Sequence, residues 1–315
     1  MEYRRLGGTE LEVSVLGFGA SPLGDVFRKT EPADRIAAVH LAVDSGINFF
    51  DVSPYYGLTL AEARLGEALE GRREKVVLAT KCGRYGGSEF DFSAKTITAG
   101  VEDSLKRLRT DYVDLLQAHD VEFGHVDQIV EETLPAMRKL QEQGKARYIG
   151  ITGYSLKNLI EIAGKAGRDG KGVDTILSYC RYNLLITDMA ESLVPFAQEH
   201  GIGVINASPL HMGIITESGP PEWHPAPQAV REAGQTIVAL CKARGVDASE
   251  VALKFCLDYP SAASTLVGIS SRGHVERNLK AMELHLDAEL LEEIAAAIEP
   301  VKDFVWPSGL PENYG

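Results

Sequence analysis

The sequence predicts a (β/α)8 barrel, and three observations predict it. Short apolar runs alternate along the chain with longer amphipathic stretches, and eight of the runs have the length of a strand. The runs show little polar/apolar alternation, as parallel strands do when both faces are covered. At 315 residues the chain still has a length at which an α/β barrel forms one domain. An open doubly wound sheet is the alternative arrangement of the same beat. No repeat, low-complexity stretch or linker interrupts it, so residues 1–315 read as a single barrel domain.

Taken in order, 1–17 holds two short runs around Gly7-Gly8-Thr9, the pattern of a hairpin closing the barrel bottom. The strand runs are Val13–Phe18, Ile47–Val52, Val76–Lys81, Tyr112–Ala118, Tyr148–Thr152, Thr175–Tyr179, Gly203–Ala207 and Thr265–Ile269. Between them, Pro32–Ser45 puts Ile36, Val39, His40 and Val43 on one helical face, and Ser93–Leu108 opens on Ser93 as N-cap. Further helices are expected at Val126–Gln143, Leu156–Lys165, Ala190–His200, Pro227–Arg244, Ala248–Leu257 and Val275–Met282. Gly46, Gly144 and Gly201 close several of them. The tail from Pro300 onward, rich in Pro and Gly and carrying Trp306, reads as a loop. It either folds over the barrel mouth or lies on the surface.

Composition narrows the function. A net charge of −13 argues against nucleic acid and against an anionic membrane surface, both of which need a basic face. No apolar run approaches the ~18 residues that span a bilayer. Met1-Glu2-Tyr3-Arg4-Arg5 leads into polar sequence rather than an apolar signal core. The expectation is a cytoplasmic protein, a monomer or weak homodimer, that acts on a small molecule. Cys82, Cys180, Cys241 and Cys256 show no paired spacing and read as free, mostly buried thiols.

In such a barrel the site lies at the C-terminal strand ends. The second, third and fourth runs end on Asp51, Lys81 and His119, and Tyr56 sits on the loop just beyond Asp51. That set suits proton transfer. A free phenol titrates near ~10 and is a poor base at neutral pH. A lysine against Tyr56 favours phenolate, Asp51 holds the lysine charged, and His119 orients a substrate oxygen. His119, Asp120 and His125 lack the spacing of a metal-ligand set, so no metal is expected.

Gly46-Ile47-Asn48-Phe49-Phe50-Asp51 followed by Tyr55-Tyr56-Gly57 resembles the aldo-keto reductase signature, an aspartate with a tyrosine five residues on. Lys81 and His119 fall where that family places its other two catalytic residues. Tyr3-Arg4-Arg5-Leu6-Gly7, Leu16-Gly17-Phe18-Gly19 and Ser208-Pro209-Leu210 match as well, so the resemblance covers essentially the whole chain. It implies a barrel binding NAD(P) in extended form without a Rossmann fold, and Gly17-Phe18-Gly19-Ala20 indeed lacks the third glycine of that motif. Within the family, Thr80-Lys81-Cys82-Gly83-Arg84-Tyr85, Leu177-Ser178-Tyr179-Cys180 and Val305-Trp306-Pro307-Ser308-Gly309 are similar to the branch that oxidises the anomeric carbon of aldoses. The resemblance thus implies hydride transfer from a sugar, L-galactose first, to NAD, with the lactone as product. NADP(H)-linked carbonyl reduction, an L-fucose-type dehydrogenase and a cofactor-binding regulatory subunit are the alternatives.

The resemblance also assigns binding residues. For the cofactor, Ala20 and Ser21 follow the first barrel strand, and Asp51, Thr152 and Ser178 end later ones. Ser208, Leu210 and Gly213 form the next segment, and Gly268, Ser270, Ser271, His274 and Asn278 the last. Gly268 and His274 stand where NADP-dependent members often carry Lys and Arg. A 2′-phosphate needs such cations, which favours NAD, although Arg272 or Arg277 is a substitute. For the sugar the candidates are Tyr56 and His119 with Tyr55, Arg84, Phe90 and Trp306.

Overall fold

The chain opens with the expected hairpin. β1 (Tyr3–Arg5) and β2 (Glu12–Ser14) pair antiparallel, with Arg4 opposite Val13. Gly7 has a φ of +58°, and a Cβ there would stand 2.2 Å from the Gly203 nitrogen. Only glycine lets this turn seat against the barrel. Leu6, Leu11 and Val13 pack with Phe49, Ala79, Leu115, Leu177, Ile205 and Leu266 in one apolar cluster that fills the barrel bottom. The structure, a computed structural model, describes residues 1–26, 29–168 and 172–314.

Eight parallel strands follow: β3 (Leu16–Gly19), β4 (Phe49–Asp51), β5 (Val77–Cys82), β6 (Val113–Ala118), β7 (Ala146–Gly153), β8 (Thr175–Tyr179), β9 (Gly203–Ala207) and β10 (Ser264–Gly268). They pair in chain order, and β10 closes the barrel on β3. The expected runs are these strands, with one correction. Val13–Phe18 is not one strand: its start completes the hairpin, and the barrel strand begins at Leu16. Val13-Ser14-Val15-Leu16 carries no glycine or proline to mark that corner.

Helices clothe the barrel. α1 (Pro32–Asp44), α2 (Leu60–Ala68) and α3 (Ala94–Leu108) follow β3, β4 and β5. α4 (Val126–Gln128) runs through a π turn (Ile129–Thr133) into α5 (Leu134–Glu142), together filling the single stretch expected there. α6 (Leu156–Gly167), α7 (Leu193–Glu199), α8 (Gln228–Ala243), α9 (Ala248–Leu257), α10 (Arg272–Met282) and α11 (Ala288–Ile298) complete the set. The sequence reading missed α2 and α11, and it counted α9, an extra helix leading into β10, as one of the eight. In α2 the buried face is Ala61, Leu65 and Ala68 with the charged Glu62 beside it, which blurs the apolar stripe.

Glu62 explains itself in three dimensions. It is fully buried, accepts 2.6 Å and 2.7 Å hydrogen bonds from the Thr80 hydroxyl and Arg107 Nε, and so ties α2 to β5 and α3. Thr80 points outward to this contact, and the strand's alternation turns Ala79 and Lys81 inward. α2 lies so close to α3 that a Cβ on Gly66 would meet the Arg107 carbonyl oxygen at 2.4 Å.

Gly66→Ala tests this packing. Helix propensity alone would favour alanine by ~1 kcal/mol. The obstacle is backbone, which cannot swing aside, so a net loss of about 1–3 kcal/mol is expected in urea unfolding. A stabilised variant would show that α2 moves freely over α3.

Candidate active site

The site is an inner layer of the barrel one step above the apolar plug. Phe49, Ala79 and Leu115 lie in the lower layer. Two residues further along the same strands come Asp51, Lys81 and Gln117, and strand pairing sets Asp51 beside Ala79 and Lys81 beside Gln117. Lys81 Nζ donates to Asp51 Oδ1 and, at 3.0 Å, to the Val52 carbonyl. Gln117 Nε2 donates to the other carboxylate oxygen at 2.9 Å. Burial pulls the Lys81 pKa down, but Asp51 and then Tyr56 outweigh it and hold the ammonium above its ordinary value. The expected Asp51–Lys81 partnership is present, and Gln117 is a third member that the sequence reading missed. Its signal was available: it precedes His119 by two residues, at the same strand end.

Tyr56 stands over this pair, its ring centroid 4.9 Å from Lys81 Nζ. Lys81 acts on the phenol in the expected direction, but it does not decide the net shift. Burial pushes the Tyr56 pKa up to about 12; Lys81 pulls it down, and the Asp51 and Asp120 charges push it further up. In the protein alone Tyr56 is a phenol at neutral pH. The ordering of these effects is set by depth in the barrel, which no sequence pattern reports.

His119 meets Tyr56 edge-on, with ring centroids 5.6 Å apart. Burial, then the Lys81 and Arg84 cations, holds its pKa well below the usual histidine range, so the ring is neutral. Ser53 Oγ lies 2.9 Å from its Nδ1. Asp120, in the left-handed region at φ 51°, follows His119 and is paired with Arg84. The Arg84 guanidinium also covers the Tyr55 ring at 3.8 Å and the Phe90 ring at 5.0 Å, and Phe90 stacks on Phe123 at 4.3 Å. Three expected sugar residues therefore share one wall next to His119.

The remaining expected residues ring the same end. The Ala20 N–H donates to the Asp51 carbonyl at 2.8 Å, and Ser21 opens a 3-10 turn, Ser21–Gly24. Thr152 Oγ1 accepts the Asp120 N–H at 3.1 Å, so this hydroxyl already holds the histidine loop. Ser208, at φ 62°, and Gly213, at φ 99°, bend the segment after β9 around Leu210. Ser271 caps α10 by accepting the His274 N–H at 3.3 Å, and Ser270 N–H lies 3.4 Å from His274 Nδ1. Gly268 ends β10, where an added Cβ would press on Pro22 at 3.0 Å. Ser178 Oγ and Asn278 Nδ2 are buried with no hydrogen-bond partner among the described residues. Orphaned donors of this kind are costly unless something else meets them.

Trp306 settles the question of the tail. It is buried, stacks on Tyr154 at 4.5 Å, and meets His211 and His224 at ring distances of 5.4 Å each. The structure thus places it in a different aromatic cluster from Tyr55, Arg84 and Phe90. Beyond it the chain crosses to Glu122 on the loop after β6. The Leu310 N–H and Asn313 Nδ2 each donate to the Glu122 carbonyl at 2.8 Å. Gly309, at φ +90°, brings its backbone so near that a Cβ would stand 2.2 Å from that oxygen. The Glu122 carboxylate accepts the Tyr154 N–H at 3.0 Å and the Ser308 hydroxyl at 3.2 Å. The tail is a strap over the loops that follow β6, β7 and β9, with a short 3-10 turn at Pro311–Asn313; Gly315 lies outside the described residues.

All four cysteines are free and buried. Among the described residues no group of three or more His, Cys, Asp and Glu side chains is arranged to hold a metal, and no helix is long and apolar enough to cross a membrane.

The closed parallel barrel carries an ion pair, a tyrosine and a neutral histidine together at its C-terminal end. The chain belongs to the aldo/keto reductase family, whose sequence model matches residues 15–299. It is 47% identical to L-galactose dehydrogenase of Arabidopsis thaliana over 99% of both chains. It is 29% identical to D-threo-aldose 1-dehydrogenase of Pseudomonas sp, covering 91% of this chain and 94% of that one. The holo form of aldo-keto reductase AKR11C1 from Bacillus halodurans superposes with a TM-score of 0.79 at 29% identity, over 97% of this chain and 98% of that one.

Glu122 makes stability depend on pH. Burial, then the Asp120 charge, pushes its carboxyl up to about 8. Between the ordinary carboxylate range and that value the folded chain holds the proton more tightly than the unfolded chain, so stability falls as pH rises through the window. Glu122→Gln removes the slope. Its urea midpoint should gain on that of the natural protein from about pH 5 to about pH 8, by the equivalent of about 1 kcal/mol or more. A difference independent of pH would mean that Glu122 is ionised in the fold.

Proposed function

We propose that the protein oxidises the anomeric carbon of an aldose, with L-galactose as the first choice and NAD as the cofactor. The observation that carries this reading is the joining of Tyr56, Lys81, Asp51 and His119 at one barrel end, beside a wall of Tyr55, Arg84 and Phe90. The likeness to an L-galactose dehydrogenase over nearly the full length supports the sugar.

The residues present fit a nicotinamide cofactor. The buried, unpartnered Ser178 Oγ and Asn278 Nδ2 would meet its polar groups, and the capped start of α10 would receive its diphosphate end. At Gly268 a longer side chain would have to displace Pro22, and His274 is no match for an arginine fork. Both features support NAD over NADP. When bound, the cofactor supplies the acceptor for the hydride of the sugar carbon.

The chain's own residues handle the rest. His119, neutral, would hold the oxygen on the reacting carbon, and the stacked guanidinium of Arg84 would bound the sugar. Tyr56 would take the hydroxyl proton as phenolate, and the Lys81 ammonium stabilises that anion while Asp51 and Gln117 fix the ammonium in place.

Three measurements test the reading. A panel of aldoses with NAD and with NADP, followed by reduced-cofactor absorbance, should give turnover with L-galactose and NAD. Tyr56→Phe should lower kcat by roughly 10²–10⁴-fold while leaving cofactor binding intact. Tight cofactor binding without turnover on any sugar would instead favour a regulatory subunit. Because the phenol pKa is raised to about 12, the phenolate fraction at neutral pH is small. It grows up to about tenfold for each pH unit below that value. The oxidation rate should therefore climb with pH through the neutral and mildly alkaline range, and a flat profile would remove Tyr56 from the role of base.

A further inference from the structure

Ser53 is fully buried two residues beyond Asp51. Its Oγ has two neighbours, the Tyr55 backbone nitrogen at 3.1 Å and His119 Nδ1 at 2.9 Å. The first contact has only one sense, because a backbone N–H can only donate. It occupies one lone pair of the hydroxyl and leaves one proton to place. If His119 carried hydrogen on Nδ1, that N–H would donate to Oγ as well. The Ser53 proton would then need a further acceptor, and none lies within hydrogen-bond distance among the described residues. The arrangement that satisfies every group has the serine donating to Nδ1, which puts the imidazole proton on Nε2.

The other ring nitrogen faces the site. Nε2 stands 3.7 Å from Asp120 Oδ2, outside hydrogen-bond range, and that oxygen is held by Arg84. The N–H is therefore not consumed among the described residues, and the Tyr56 ring stands edge-on to the same imidazole. A charged imidazolium is not an alternative, with Lys81 and Arg84 both pressing on a buried ring.

We infer that Ser53 is a positioning residue that fixes His119 as an Nε2–H donor aimed at the oxygen of the reacting carbon. The chemical consequence rests on the sugar oxidation proposed above; the tautomer itself does not. As the C–O–H of the sugar becomes C=O, the hydride on that carbon would leave to the nicotinamide and the hydroxyl proton passes to the Tyr56 oxygen. The O–H electron pair becomes the second C–O bond, and the two lone pairs stay on the sugar oxygen. A donor at Nε2 supports that oxygen throughout. The opposite tautomer would present a lone pair to it and oppose the reaction. The His119 proton does not transfer, so histidine acts here as a hydrogen-bonding group and not as an acid.

The test is nitrogen NMR of protein labelled with 15N-histidine, the His119 signals being assigned from their loss in His119→Asn. The natural protein should show a pyridine-like Nδ1 and a pyrrole-like Nε2. Ser53→Thr keeps the hydroxyl and should keep this pattern, whereas Ser53→Ala should move both nitrogens toward a mixed population. On an active aldose, Ser53→Ala should lower kcat by about tenfold with KM nearly unchanged, and Ser53→Thr should recover most of the loss. A pyrrole-like Nδ1 in the natural protein overturns the inference, and so does an unchanged spectrum in Ser53→Ala. Should the alanine variant fail to fold, the spectrum of the natural protein still decides. Should no aldose react, the functional reading falls while the tautomer remains measured.

Discussion

The buried ion pair between Lys81 and Asp51 is the constraint on which the rest of the site depends. Moving two such charges out of water costs several kcal/mol per ion, and their attraction offsets this only when the remaining donors and acceptors are also met. Here they are met: Gln117 occupies the second carboxylate oxygen and the Val52 carbonyl takes another ammonium proton. Each member comes from a different adjacent strand. The pair therefore forms only in one register, in which Asp51, Lys81 and Gln117 all face inward. A slip of one residue would turn all three outward and bring Thr80 in their place.

Around that pair the charges balance locally. Lys81 and Arg84 face Asp51 and Asp120, so the site is near neutral although the chain carries −13 overall. Burial is what keeps His119 uncharged and Tyr56 protonated; the ions come second, Lys81 and Arg84 acting with burial at His119 and Lys81 acting against it at Tyr56. Fixed dipoles and fixed charges at a dry site act without the reorganisation that water would require. Ser53 extends the same logic to a single proton, whose position on the imidazole follows from one backbone N–H.

The C-terminal strap contributes in another way. Loops above a barrel have few partners of their own and move readily unless something ties them down. Trp306 enters an aromatic cluster with Tyr154, His211 and His224, while Ser308, Leu310 and Asn313 bind Glu122, three residues beyond His119. The loop that carries the histidine is thereby held by Thr152 from inside and by the tail from outside. One buried carboxyl thus couples the order of this end of the barrel to pH.

By itself the sequence determined the barrel class, the strand ends that carry Asp51, Lys81 and His119, and the place of Tyr56 just beyond the first of them. These were legible because each depends on short-range pattern: apolar runs too short for helices, and polar residues where those runs stop. The corner at Val15, helix α2 and the role of Glu62 were not legible, since there the local pattern is overridden by contacts with residues up to Arg107. Gln117 and Ser53 lay within reach, being two residues from His119 and Asp51 in the chain. The tertiary structure alone decided the rest. It placed Trp306 in the strap against Tyr154, set the Thr152 hydroxyl to accept the Asp120 N–H, and let burial outweigh Lys81 at the Tyr56 phenol. Each of these is a question of depth and of which distant group lies within about 4 Å, and hydrogen bonding and desolvation are settled by that proximity rather than by spacing along the chain.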